Sequence, residues 1–234
     1  MNITFVCLAN STKLGGRCVA GIKTDGTGWI RPVSEGPTGT LLPSHYTLDA
    51  GREAALLDVV GVEVSRHSPE PHQPENWVIA KRQWGLIECL EPVAAWRRLR
   101  PFLVLRPALL GNRTDRIAYS DLKSNPIPTS LALIEPSKVN WLVTTSPSGK
   151  RQTRALFTLG GAAYDLGVTD PQWLQRLSKL KVGLYENEDV GVSARDRLLF
   201  TISLGVPFTT QYFTEQCFKL VAAVIVLQGI RGTA

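Results

Sequence analysis

The segment RCVAGIKTDGTGWIRPV, residues 17–33, has the pattern of a β-hairpin. Apolar and β-branched residues occur in both of its ends, and its centre, residues 24–28, is a polar stretch with an Asp-Gly step. That step readily adopts the positive φ angles that a tight turn between two strands requires. Two antiparallel strands are therefore predicted at 17–23 and 29–33, and another strand is predicted before them at 3–8.

Short strand-like segments recur through the rest of the chain. Pro92 to Arg100 is predicted to form a short helix, because proline is accepted at the first helical position. A second helix is predicted after Asp170, which suits a helix N-terminus, and it extends to about Lys181. Further strands are predicted at 56–64, 141–145, 152–159, 198–204 and 219–227.

The order of these elements indicates two similar domains. Residues 113–137 are rich in Asn, Ser, Pro and Asp, a composition typical of a linker. Strand, hairpin, short helix and strand are predicted in the same order on both sides of it. The chain is therefore predicted to be mainly β with short helices, and to form two small OB-like Greek-key barrels in tandem, at 1–112 and 138–234.

The composition is that of an ordinary globular protein, with 44% hydrophobic and 20% charged residues. The longest apolar run, 220–227, is too short for a membrane-spanning helix. The N-terminus has no basic region before its apolar residues, and the 4 cysteines lie far apart without a C-x-x-C pair. A soluble, cytoplasmic protein with buried thiols and no membrane contact is therefore expected. The net charge of +6 favours polyanions such as nucleic acid as partners.

The sequence contains no complete set of catalytic residues. It has no G-x-S-x-G motif and only 3 histidines. Asp58 and Glu63 have a nuclease-like spacing, but Ser65 stands where the lysine of such a site is expected. The chain is predicted not to be an enzyme and to need no cofactor and no metal. The residues that came nearest to a metal set lie among prolines without a preorganised spacing: His67, Glu70, His72 and Glu75.

Basic residues flank a glycine pair between the first two predicted strands. Lys13 and Arg17 lie on either side of Gly15 and Gly16. A backbone without Cβ atoms can approach a phosphate closely while two cations neutralise it. These four residues are therefore predicted to contact nucleic acid.

Trp29 and Arg31 alternate along one predicted strand and so share a face. A barrel that binds single strands presents a stacking ring beside a cation in this way. The alternative is that Trp29 belongs to the core and Arg31 is a solvated residue at its edge.

Two basic clusters are predicted, the first beside Trp96 at the end of the helix at 92–100 and the second on the later hairpin. They consist of Arg97, Arg98 and Arg100, and of Lys150, Arg151 and Arg154. One such cluster alone is most often solvated surface. Two clusters on two similar barrels suit a groove that follows a nucleic-acid backbone, because such a groove needs charge along its length.

Five stretches resemble a known family. They are STKLGGRCVAG at 11–21, WIRPVS at 29–34, QPENW at 73–77, ISLGVPF at 202–208 and CFKLVAA at 217–223. The chain resembles the dual OB-fold-containing domain family of prokaryotic conflict systems along nearly its whole length. The resemblance implies two OB barrels and a role in nucleic-acid recognition during defence against invading DNA, and it brings no established catalytic residues.

Three functions follow as hypotheses. The first is a binding module whose two barrels form a groove for single-stranded or distorted nucleic acid, with Trp77 among the contacting residues. The second is a sensor or enzyme subunit for a small nucleotide-like ligand, in which the Gly15-Gly16 loop and Trp77 line a closed pocket. The third is an adaptor that docks an effector protein, a nuclease or helicase, on exposed strand edges.

Overall fold

The computed structural model describes residues 1–49, 51–146, 149–210 and 213–231, and it is mostly β. The helices are α1 Pro43–Tyr46, α2 Pro92–Leu99, α3 Tyr119–Ser124 and α4 Pro171–Leu177, with 3₁₀ segments at Arg100–Phe102 and Glu188–Val190. The strands are β1 Asn2–Lys13, β2 Gly16–Lys23, β3 Trp29–Val33, β4 Asp58–His67, β5 Asn76–Ile79, β6 Gly85–Cys89, β7 Arg116–Ala118, β8 Leu131–Ile134, β9 Ser137–Thr145, β10 Arg151–Leu159, β11 Ala162–Val168, β12 Gly183–Tyr185, β13 Arg197–Leu204, β14 Phe208–Thr210 and β15 Phe213–Leu227.

The first sheet closes on itself as a five-stranded barrel in the order β1-β2-β3-β5-β4. Phe5 of β1 pairs with Lys23 of β2 on one side and with Val60 of β4 on the other, which closes the ring. The β3–β5 pair is parallel and the other pairs are antiparallel. The barrel interior is filled by apolar side chains that include Phe5, Ile30 and Trp84. This is the five-stranded Greek-key barrel of the OB fold, as predicted.

The second sheet repeats this order as β9-β10-β11-β15-β13, again with one parallel pair, between β11 and β15. β8 pairs with β13 and continues through Glu135 and Pro136 into β9, which pairs with β10. Together β8 and β9 therefore occupy the place that β1 has in the first barrel. Trp141 and Phe157 each meet Phe200 edge to face in the core, with ring centroids 5.6 and 5.4 Å apart.

The hairpin predicted at 17–33 is confirmed. Its strands β2 and β3 are antiparallel, and they pair Gly21 with Ile30 and Ile22 with Trp29. Both predicted helices are also present. Proline occupies the first turn of α2 and α4, and the Asp170 carboxylate accepts hydrogen bonds from two backbone N–H groups at the start of α4. α4 ends earlier than expected, at Leu177.

The segment 113–137 is not a linker. It contributes β7, α3 and β8, and β8 is hydrogen-bonded to β13 through four residue pairs, from Leu131 to Ile134. Those four residues are buried. The polar residues around this short apolar strand dominate the composition of the segment, and this explains why composition alone indicated a connector.

The two barrels pack against each other through a shared apolar core. Leu8 and Ile22 of the first barrel lie in one cluster with Leu133, Leu199 and Ile225 of the second. The buried hydroxyl of Thr201 donates to the carbonyl of Leu8 at 2.6 Å. The two barrels are thus joined by buried contacts.

Within the described ranges, no helix is long and apolar enough to cross a membrane. The four cysteines are unpaired thiols. Cys7 and Cys217 are buried as expected, whereas Cys18 is half-buried and Cys89 is exposed.

Candidate nucleic-acid interface

A cleft of about 440 Å³ opens at one end of the first barrel. Three connections form it: the β1–β2 turn, the segment 34–39 after β3, and the β4–β5 connection at 68–75. Val206 and Pro207, which follow β13 of the second barrel, complete its wall. OB folds bind oligonucleotides with the loops that join strands 1–2 and 4–5, and both of these loops line this cleft.

The β1–β2 turn is tighter than the sequence indicated. β1 continues through residues 10–13, beyond the strand predicted at 3–8, and the chain reverses at Leu14 and Gly15. Both residues have positive φ, of 45° and 82°, as a two-residue hairpin turn requires. The turn therefore holds Lys13 at the end of β1, on the cleft wall.

The β4–β5 connection brings two buried polar side chains to the cleft. Glu70 and Gln73 bond to each other through their backbones around Pro71, which fixes a compact turn. The turn holds His72 at 8% exposure, and β5 begins with Asn76 at 6%. In the described parts of the chain, His72 Nδ1 and Asn76 Oδ1 are buried without any hydrogen-bond partner. Buried polar atoms are nearly always paired, so these two mark a place where a ligand or water belongs.

The imidazole of His72 is neutral at physiological pH. Burial, together with the positive charges of Arg31 and Lys13, lowers its pKa from 6.5 to about 4 against the opposing effect of Glu75. A neutral imidazole has one nitrogen that donates and one that accepts. His72 can therefore act as a donor or an acceptor toward a ligand without carrying charge.

The charges around the cleft are balanced. Lys13 and Arg66 line it together with Glu35 and Glu70. Arg66 donates to the hydroxyl of Ser68 at 3.1 Å. The Lys13 ammonium has no hydrogen bond or ion pair within the described residues, and burial lowers its pKa. Lys13 is thus a cation of the cleft that remains available to a phosphate.

The two glycines that were predicted to contact nucleic acid, Gly15 and Gly16, differ in role. A Cβ on Gly16 would lie 2.2 Å from the carbonyl oxygen of Leu41, so this glycine allows close packing of β2 against the chain rather than an approach to phosphate. A Cβ on Gly15 would meet no atom of the described residues within 4 Å. Arg17 is partly exposed, and its guanidinium bonds to Glu53 at 3.1 Å. Of the four residues predicted to contact nucleic acid at this turn, Lys13 and Gly15 remain accessible to a ligand.

Arg31 is not on the surface, which corrects both readings of this residue. Its side chain is 1% exposed and forms an ion pair with buried Glu75 at 2.9 Å. The same guanidinium donates to Ser130 and Ser203 of the second barrel, at 2.9 and 3.2 Å. It also donates to the sulfur of Cys18 at 2.8 Å. Arg31 therefore links the two barrels from inside.

The two predicted tryptophans lie outside the cleft. Trp29 is half-buried and packs against apolar clusters that both barrels share. Trp77 packs on the core of the first barrel, and its ring lies 4.7 Å from that of His67. The ring of Trp29 therefore belongs to the contact between the barrels rather than to an open stacking surface.

The second basic cluster lies on the second barrel and is not part of the cleft. Lys150 is exposed. Arg151 donates to the carbonyls of Leu177 and Leu180 after α4, and Arg154 pairs with Asp165 of the neighbouring strand. The turn that precedes the cluster includes Pro147 and Ser148, which lie outside the described residues.

Comparison with known proteins identifies the family. The model of the dual OB-containing domain matches residues 3–224. The chain belongs to this family. A search of curated proteins found no similar sequence. Among solved structures, a crystal structure of the tetrameric p202 HIN2 is similar at 9% identity and a TM-score of 0.28, covering 97% of this chain and 90% of that one.

Sequence reasoning missed two residues of the cleft of this dual OB protein, His72 and Asn76. Asn76 lies inside QPENW, one of the stretches that carried the family resemblance, so a signal was present. His72 lies among three prolines, which indicated irregular structure and gave no indication of burial.

Proposed function

We propose that this dual OB protein binds single-stranded or locally unpaired nucleic acid at the cleft of its first barrel. The observation that carries the proposal is the pair of buried, unpartnered atoms on His72 and Asn76, in a cleft lined by the loops that OB folds use for oligonucleotides. Lys13 supplies a cation at the same place. The basic net charge of +6 supports attraction of a polyanion over longer distances.

We further propose that the chain binds rather than catalyses. Asp58 and Glu63 are the two acids on β4 that have a nuclease-like spacing. Asp58 is 3% exposed and bonds to Arg52 at 2.6 Å. A carboxylate held in this way is poorly placed to bind a catalytic metal, since its oxygens already accept hydrogen bonds from Arg52, the Ala55 N–H and the Cys89 thiol.

The direct test is fluorescence anisotropy with a labelled twelve-nucleotide single strand, as DNA and as RNA, over a series of salt concentrations. The affinity of a protein that contacts phosphates falls as the salt concentration rises. In a plot of log affinity against log salt concentration, each contact to a single strand contributes about −0.7 to the slope. Lys13→Ala is expected to make the slope shallower by about that amount. Lys179→Ala is the matched control, because this exposed lysine lies outside the cleft. Absence of binding at low salt, or equal slopes for the two variants, refutes the proposal.

The size of the cleft favours a second candidate, a free nucleotide as the ligand. Its volume of about 440 Å³ falls within the range of about 300–1,000 Å³ typical of small-molecule sites. Calorimetry with mononucleotides separates the two candidates, because a sensor of free nucleotides binds them more tightly than it binds the same base within a strand.

We also propose a role in prokaryotic defence. It rests on the family resemblance, and it predicts an effector protein, a nuclease or helicase, as partner. A bacterial strain that carries the gene with its neighbours is expected to resist phage, and Lys13→Ala is expected to reduce that resistance. Unchanged plating efficiency with and without the gene contradicts this role.

A further inference from the structure

We propose that three apolar side chains at the cleft hold the faces of the bases in a bound single strand: Leu14 of the first barrel, and Val206 and Phe208 of the second. These three residues are called the apolar rim. The inference rests on the proposed function and deepens it, because it assigns a part in binding to both barrels. Contacts to the faces of bases tolerate any sequence, so the rim adds affinity without selecting a base.

The exposure of the rim is the first argument. Leu14 is 71% exposed, Val206 is 43% exposed and Phe208 is 56% exposed. Leu14 and Val206 line the same cleft, one from each barrel. A single exposed apolar side chain is ordinary, whereas several around one cleft indicate a surface that a ligand covers.

The backbone of Leu14 is the second argument. Its φ of 45° lies in the left-handed region, where the Cβ atom of a leucine is crowded by the following carbonyl oxygen. A two-residue turn of this kind prefers Asn-Gly. Because the side chain is exposed, packing in the core does not compensate for the strain. Folding alone does not account for a strained, exposed leucine, and contact with a ligand does.

The position of Phe208 is the third argument. Val206 and Pro207 line the cleft, and Phe208 begins β14, where it pairs with Gln216 of β15. A residue before proline is held extended, and alternate side chains of an extended chain lie on the same side. Phe208 therefore lies on the side of Val206, one step further from the cleft. A ring at this place is suited to the base next to the one that enters the cleft.

The polar groups of the cleft favour a nucleic acid as the molecule that covers the rim. Lys13 directly precedes Leu14, and its ammonium lines the cleft without an ion pair to any described residue. His72 and Asn76 carry the two buried polar atoms that need partners. A nucleotide combines a phosphate, polar edges and two apolar faces. An apolar segment of a partner protein covers the rim but leaves the cation and the buried polar atoms unpaired.

The first variant is Leu14→Asn, which removes the apolar side chain and places the favoured residue at the positive φ. Its affinity for a twelve-nucleotide single strand is expected to fall about fivefold or more, at an unchanged salt slope. Its melting temperature is expected to stay the same or to rise, because the strain is relieved. A purely structural leucine gives the opposite result, with lower stability and the same affinity.

Two controls accompany this variant. Leu105→Asn is the matched control, because Leu105 is 70% exposed and does not line the cleft, and it is expected to keep the wild-type affinity. Leu14→Met keeps an apolar side chain and is expected to retain most of the affinity.

The second variant is Phe208→Ala. Its affinity for the strand is expected to fall by a factor of about 5 to 150, the range for loss of one stacked ring, whereas Phe208→Trp is expected to retain the affinity. Free dTMP provides only one base, so Phe208→Ala is expected to leave its competition with the labelled strand unchanged. An abasic strand of the same length is expected to bind wild-type protein more weakly than the intact strand, and this comparison needs no variant.

Unchanged strand affinity in Leu14→Asn or in Phe208→Ala overturns the inference while strand binding itself stands. Equal affinity of the wild-type protein for the intact and the abasic strand does the same, as does an equal loss of affinity in Leu105→Asn. No binding of the intact strand overturns the proposed function and the inference together. The two failures are therefore distinguishable.

Discussion

Replacement of Arg31 by alanine is expected to be among the most destabilising single changes in this protein. The Arg31 guanidinium and the Glu75 carboxylate are both almost fully buried and lie 2.9 Å apart. Removing one partner of a buried ion pair leaves the other charge uncompensated, which costs about 3–5 kcal/mol. Arg31→Ala also leaves the hydroxyls of Ser130 and Ser203 without the donor that they share.

Arg17 provides the matched control for this prediction. It also pairs with a glutamate, Glu53, at 3.1 Å, but both side chains are partly exposed. Exposed pairs contribute about 0–1 kcal/mol, so Arg17→Ala is expected to cost at most about 1 kcal/mol. The two variants remove the same side chain from pairs of nearly equal length, and they differ in burial.

Urea denaturation followed by tryptophan fluorescence measures the change in the free energy of unfolding for both variants. For a chain of this size, 3–5 kcal/mol corresponds to a fall in melting temperature of roughly 6–20 °C. The double variant Arg31→Met with Glu75→Gln is expected to recover part of the loss, because it buries no charge and keeps an acceptor for the Ser130 N–H group. Equal costs for Arg31→Ala and Arg17→Ala would refute the reasoning, since burial would then not govern the energy of the pair.

Three further outcomes are expected. Trp29→Ala should destabilise the fold by about 3 kcal/mol, because its ring packs between the barrels, and should leave the salt slope of binding unchanged. A loss of affinity without a change in melting temperature would contradict this. Stability should fall as the pH drops from about 6.5 to about 4, because His72 binds its proton in the unfolded chain before it does so in the folded one. The loss of stability over this pH range should reach at most about 3 kcal/mol, and His72→Phe should flatten the dependence of stability on pH. Equal pH dependences for the wild-type protein and this variant would contradict the lowered pKa of His72. Repurified protein with Mg²⁺ or Mn²⁺ should not hydrolyse nucleotides or single strands, and turnover that Asp58→Asn abolishes contradicts a purely binding role.

Local sequence patterns predicted the β-rich fold well. The hairpin at 17–33 depends on residues that are neighbours in the chain, and the N-terminus of α4 depends on Asp170 and the three residues that follow it. The linker prediction at 113–137 was wrong because β8 is a strand of four residues whose partner, β13, lies more than sixty residues later. Composition over a long window does not detect so short a strand.

The burial of Arg31 could not be predicted from the strand that carries it. Parallel pairing of β3 with β5 places Arg31 opposite Asn76 and so beside Glu75. The other partners, Ser130 and Ser203, belong to the second barrel. Alternation along a strand identifies the face on which a side chain lies, but only the pairing of distant segments determines what covers that face.

The site was predicted in part. The position of Lys13 at the β1–β2 turn follows from the glycine signal next to it. The burial of His72 and Asn76 depends on how the proline-rich β4–β5 connection folds over the barrel end and on contacts with the second barrel, such as the ring of Tyr119 at 5.7 Å from that of His72. These contacts join residues that are far apart in the sequence.

Hydrogen exchange measured with and without a twelve-nucleotide single strand tests the location of binding most directly. The account predicts that the strand slows exchange in the segments that line the cleft, at 13–16, 34–39 and 68–76. It predicts no comparable protection at 149–154 on the second barrel. Protection confined to 149–154, or protection that Lys13→Ala and Asn76→Leu leave unchanged, would contradict the assignment of the cleft as the binding site.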